Sequence, residues 1–163
     1  MKTLADAFEH MLQDVYYAEQ AITKALPKMA EAAPSADLKA AFTGHLAETK
    51  EQIKILKAVF KSVGLEVKGE KCDAIEGLIK EGEGIMEEAK GVALDASLLA
   101  VAQAVEHYEI ARYGTLREWA KALGHDEAAS LIGQILDMEK ACNNKLTGLA
   151  VEAINKAPKS KAA

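Results

Sequence analysis

Apolar residues recur along this chain at alternating steps of four and three, the spacing of helices that each bury one face, and almost nowhere at the two-residue alternation of a strand. The first stripe reads Phe8, Leu12, Val15, Glu19, Ile22, Leu26, Met29, and predicts a helix from about Leu4 to Ala32 with Thr3 as its N-cap and a kink near Pro27. After the break at AAPSAD, where Ser35 and Asp37 are candidate caps, a second helix runs to about Val63 and stops at Gly64. It carries two adjacent stripes: Phe42, Leu46, Thr49, Ile53, Leu56, Phe60, Val63, and beside it Ala41, His45, Glu48, Gln52, Ile55, Val59. A shorter helix, weakened by Gly77, Gly82 and Gly84, is expected in CDAIEGLIKEGEGIMEEAKG.

The third long helix spans about Leu94 to Leu123 and ends at Gly124, with the stripe Leu99, Ala102, Glu106, Glu109, Tyr113, Leu116, Ala120, Leu123. The fourth begins at His125 and Asp126 and runs to about Ala157, before Pro158, with Ala128, Ile132, Ile135, Glu139, Cys142, Leu146, Leu149. Tight turns within each pair make antiparallel hairpins, and the connection of some 25 residues between the pairs is long enough to travel the bundle. The expected fold is all-α: a four-helix bundle over residues 1–157, a crossover carrying a short fifth helix, and a flexible Lys-rich tail at 158–163.

Every long stripe is interrupted near its middle by polar residues. Measured from the two hairpin turns, Glu19 lies level with Glu48, and Glu109 with Glu139. Four carboxylates at one height repel, and burying them demands protons, cationic partners or metal ions. Glutamate oxygens and histidine nitrogens suit divalent Fe, Mn or Zn, and two ions can share carboxylates between facing helices. The candidate ligands are Glu19, His45, Glu48, Glu106, Glu109 and Glu139. A rival reading closes the same centre by ion pairing with Arg112, Lys140 or Lys50. His107 lies off the stripe of Glu106 and Glu109, and the parts played by Gln52, Asn143, His107 and Cys142 stay open.

Composition narrows the classes. Half of the 163 residues are apolar, so one domain can bury a core unaided. The net charge of −5, without a basic stripe, argues against a nucleic-acid partner. Cys72 and Cys142 are too few and too separated for a disulfide framework and read as free thiols. With no signal-peptide pattern and no apolar stretch long enough for a membrane, a soluble cytoplasmic protein is expected.

The segments DVYYAEQ, HLAET, CDAIEGLIKE, VEHYEIARYGTL and MEKACNNKL, in this order, resemble the YciF-like family of bacterial ferritin-like proteins, and the resemblance covers almost the whole chain. It implies a ferritin-like bundle with a short extra helix, a homodimer, similarity to rubrerythrin and association with bacterial stress response, without a defined reaction. Ferritin-like di-metal proteins take a Glu from each of two helices and a Glu-x-x-His from each of the other two. Glu19 and Glu109 match the first kind, and Glu48 and Glu139 match the Glu of the second. Both histidines are replaced, by Glu51 and Cys142, while His45 precedes Glu48 by three and Glu106 precedes Glu109 by three. Two functions therefore follow as expectations: a mono- or di-metal carboxylate protein, with oxygen- or peroxide-linked metal redox chemistry in prospect, or a metal-free homodimer with a structural or partner-binding role in stress.

Overall fold

Thr3 opens the first helix: its hydroxyl accepts from the Asp6 N–H at 3.1 Å, and the Asp6 carboxylate accepts from the Thr3 N–H at 3.1 Å. This capping box satisfies two donors that a helix start otherwise leaves bare. In the computed structural model, which describes residues 1–156, α1 (Leu4–Ala32) then continues past Pro27, which lies inside it. Ser35 caps α2 (Ala36–Ser62), accepting from the Leu38 N–H. Helices α3 (Asp73–Glu88), α4 (Gly91–Ala122) and α5 (Asp126–Glu152) follow, and a 3-10 turn, Ile154–Lys156, closes the described chain.

Gly64 and Gly124 end α2 and α4 in the same way. Both take φ near +75° (73° and 75°), where a side chain is strained, and the next N–H reaches back to the last turn: Leu65 to Phe60 O and His125 to Ala120 O, each at 2.9 Å. Two starts and ends differ from expectation. Helix α4 begins three residues early, at Gly91, which has φ 59°. Helix α5 ends at Glu152 and not near Ala157, because the chain tightens into the 3-10 turn that buries Ile154. Ala157 and the Lys-rich tail at 158–163 lie outside the described residues.

Helix α1 packs on α2 and α4, and α5 on α2 and α4, so the four long helices form a ring, while α3 lies over α1 and α4. No strand occurs among the described residues. The apolar interior is split into two clusters. One holds Phe8, Leu12, Val15, Leu56, Phe60, Leu116, Ile132 and Ile135, and the other Ile22, Leu26, Leu38, Phe42, Leu98, Leu99 and Leu146. The level between them, seen in the sequence as a shared interruption of the stripes, is filled by polar side chains.

Burial follows the expected stripes on α1, α4 and α5 and departs from them on α2. There the inward positions are Leu38, Phe42, His45, Thr49, Gln52, Leu56 and Val59 with Phe60, a 4-3 repeat that alternates between the two stripes read from the sequence. Leu46, Ile53 and Ile55 are only partly buried. The crossing toward α5 therefore rotates α2 so that His45 and Gln52 point inward and Glu48 lies on the flank.

Candidate metal centre

Each of the four long helices delivers part of the polar level: Glu19 from α1, His45, Thr49 and Gln52 from α2, Glu106, Glu109 and Tyr113 from α4, Glu139 from α5. All eight are buried, and Glu106 and Glu139 show no exposure at all (0%). One ligand atom from each of His45, Glu106, Glu109 and Glu139 lies within 4.8 Å of the corresponding atoms of the others. Four-coordinate metal sites with bonds of about 2.0–2.3 Å hold their donors roughly 3.3–3.8 Å apart, so small side-chain rotations suffice to close this group on an ion.

Hydrogen bonds hold the rim and leave the middle bare. Tyr113 donates its hydroxyl to Glu19 Oε1, and Gln52 Nε2 donates to Glu139 Oε1 at 2.8 Å. The Thr49 hydroxyl turns back to His45 O at 2.9 Å and so fixes the turn that presents the imidazole. His45 Nε2 stands 3.2 Å from Glu106 Oε1, close enough for an ion pair but too poorly aligned for a hydrogen bond. Among the described residues, eight buried side-chain polar atoms have no hydrogen-bond partner: Glu19 Oε2, His45 Nε2, Gln52 Oε1, both oxygens of Glu106, both of Glu109, and Glu139 Oε2. A buried polar atom without a partner costs on the order of 1–3 kcal/mol, so this level calls for protons shared between the carboxyls or for a bound cation.

Burial is the first cause that raises three of these carboxyls, Glu19, Glu109 and Glu139, above the usual carboxylate range. It pushes Glu19 up to about 8, a rise that the Tyr113 hydrogen bond opposes and the Glu106 charge reinforces. Glu109 is raised well above the usual carboxylate range by burial and then by Glu19 and Glu106, and Glu139 by burial and then by Glu109, Glu19 and Glu106. The expected lysine or arginine partners are elsewhere: the Arg112 guanidinium lies 5.1 Å from the Tyr108 ring centroid, and Lys50 and Lys140 are exposed. Among the described residues, no Lys or Arg forms an ion pair with Glu19, Glu106, Glu109 or Glu139. Oxygen-rich donors with one imidazole fit a hard or borderline divalent ion.

Five of the six ligands anticipated from sequence sit at this level, and Glu48 does not join them. Its side chain is about one-third exposed (34%) and accepts from Lys145 Nζ at 2.7 Å on the outer face of α2 and α5. Gln52 and Tyr113 are the polar members whose roles the stripes did not assign. The signal for both was their position, since each falls in a buried 4-3 repeat next to a carboxylate. Asn143 accepts from Gln103 Nε2 at 3.2 Å, and His107 is exposed.

Fold and centre define a ferritin-like helical bundle with a buried histidine and carboxylate group that can hold a metal. The chain belongs to the YciF-like family: residues 3–158 match the family described as a domain of unknown function, DUF892. It is 46% identical over 164 residues to protein YciF of Escherichia coli, covering 99% of each chain. The crystal structure of that E. coli stress protein superposes with a TM-score of 0.92 at 47% identity, over 96% of this chain and 99% of that one. YcfI of Rhodopseudomonas palustris, described as a proposed structural protein, superposes with a TM-score of 0.86 at 53% identity, over 90% and 94%. A Xanthomonas campestris protein shares the fold at 19% identity, with a TM-score of 0.74 over 94% of each chain.

Proposed function

We propose that this chain is a metal-binding member of its family, a homodimer acting in stress, that holds one or two divalent transition-metal ions among Glu19, His45, Glu106, Glu109 and Glu139. The observation that carries the reading is the convergence of eight unpartnered buried atoms, seven of them on these five residues. Four carboxylates also carry the charge of two divalent ions, so a filled centre is near neutral without the protons on which a bare one depends. A bound Fe or Mn ion supplies one-electron chemistry toward oxygen or peroxide, and Zn supplies Lewis acidity. The protein's own part is to fix the ligands: Tyr113 steadies Glu19, Gln52 steadies Glu139, and the apolar clusters above and below keep bulk water out.

The relatives support the setting: the E. coli relative is described as a stress protein, and both cysteines here are buried free thiols, as suits a reducing cytoplasm. No helix among the described residues is long and apolar enough to cross a membrane. A second reading, a metal-free structural protein, is favoured by the description of the R. palustris relative and by carboxyls that can keep their protons. The eight unpartnered atoms weigh against it.

Anaerobic titration of chelator-treated protein with Fe(II) or Mn(II), followed by calorimetry, separates the two. Saturable binding is expected, lost in Glu106→Ala and Glu109→Ala and retained in Glu48→Ala, whose carboxylate faces Lys145. Absence of heat with the native protein overturns the metal reading.

A further inference from the structure

The centre has a second side that the carboxylate group does not use. Cys142 Sγ, His45 and Glu106 form another group whose ligand atoms lie within 4.8 Å of one another, and all three residues are buried, at 5%, 5% and 0% exposure. His45 Nε2 and both Glu106 oxygens are among the atoms without a hydrogen-bond partner, so the thiol faces donors that are themselves unsatisfied. On α5, Cys142 follows Glu139 by three residues, one turn along the same face, at the position where the Glu-x-x-His pattern places its nitrogen. Beside it a groove of about 200 Å³, lined by Gly44, His45, Glu48, Cys142, Lys145 and Leu146, opens between α2 and α5.

We infer that Cys142 is a metal ligand of this protein, binding as a thiolate to an ion shared with His45 and Glu106 on the groove side of the centre. This rests on the metal reading above and extends it by one donor of different chemistry. On binding, the sulfur–hydrogen bond is exchanged for a sulfur–metal bond, the proton leaves to solvent through the groove, and no oxidation state changes. A sulfur donor shifts the preference of the position toward Zn(II), Co(II) and Fe(II) and away from Mn(II), which oxygen ligands suit better. The other thiol takes no part: Cys72 lies at the start of α3, 3.0 Å from the Tyr108 hydroxyl.

Anaerobic Co(II) titration of the chelator-treated full chain reads the two levels apart. Visible ligand-field bands report that cobalt is held in an ordered low-coordinate site, and a near-ultraviolet thiolate-to-cobalt charge-transfer band reports sulfur in the shell. The native protein should show both. Cys142→Ser and Cys142→Ala should keep the visible bands and lose the near-ultraviolet one, and Cys72→Ser should keep both. In parallel, Zn(II) affinity should fall at least about tenfold in Cys142→Ser, the loss that even an outer partner of a ligand produces, while Mn(II) affinity changes less. Visible bands without charge transfer in the native protein, or charge transfer that survives in Cys142→Ser, overturn the thiolate and leave the carboxylate centre standing. Absence of both bands in the native protein overturns the centre and the thiolate together.

Discussion

Protein stripped of metal by a chelator should melt at a lower temperature at pH 8 than at pH 5, and a saturating divalent ion should offset that difference. Glu19 is raised from 4.5 to about 8, and Glu109 and Glu139 are raised as well, in each case first by burial. A carboxyl whose folded pKa lies above its unfolded value makes the folded state bind more protons than the unfolded one. Its stabilising contribution is whole below about pH 4.5 and is lost as pH climbs toward about 8. One pKa unit corresponds to about 1.36 kcal/mol, so this window carries several kcal/mol, or on the order of 10 °C in Tm for a chain of this size. The carboxyls held below the usual range, Asp6 by the Lys2 and Thr3 backbone and Glu118 by Lys121 and Arg117, titrate lower and do not oppose the trend.

Metal acts in the opposite sense, because it needs the carboxylates that high pH frees. At a thousandfold excess over Kd a ligand adds about 4 kcal/mol, again about 10 °C. Differential scanning calorimetry from pH 5 to pH 8, with and without Zn(II), should show a metal-induced rise in Tm that grows with pH. A stripped protein whose Tm is level or rises across the window would mean that the central carboxyls do not hold protons in the folded state.

Glu109→Gln should make the stripped protein more stable at pH 8 by about 1–3 kcal/mol and abolish the metal-induced rise in Tm. The substitution keeps the shape of a fully buried side chain and removes its charge, and it supplies an amide that can donate to the unpartnered oxygens of Glu106 and Glu139. Replacing buried charges by neutral groups of similar volume is commonly neutral or stabilising for this reason. Paired melts of native and Glu109→Gln protein, each with and without Zn(II), check both halves at once. A variant that is destabilised yet still raised in Tm by metal would place Glu109 in the packing and outside the ligand set.

Most of the bundle was legible because its signals are local. The capping box at Thr3, the glycine stops at 64 and 124 and the 4-3 stripes of α1, α4 and α5 each depend on residues a few positions apart. The height at which the stripes turn polar also survived the change from sequence to structure, since hairpin geometry fixes it. Helix α2 was harder. Two 4-3 repeats run side by side through it, and which one faces inward is decided by how it packs against α1 and α5. That rotation of a fraction of a turn sent Glu48 to Lys145, 97 residues away, and brought Gln52 to Glu139, 87 residues away. Neither partner is visible in a stripe read alone. The end of α5 was missed for a similar reason, because burial of Ile154 against the bundle tightens the chain before the first proline beyond it.

Anomalous scattering from crystals soaked in Mn(II), Fe(II) or Zn(II), recorded at each metal's absorption edge, addresses the centre without an assay for its reaction. One or two peaks are expected between α1, α2, α4 and α5, within about 2.0–2.3 Å of donor atoms of His45, Glu106, Glu109 and Glu139. Peaks confined to surface carboxylates, with the central side chains unmoved, would contradict a metal centre in this bundle.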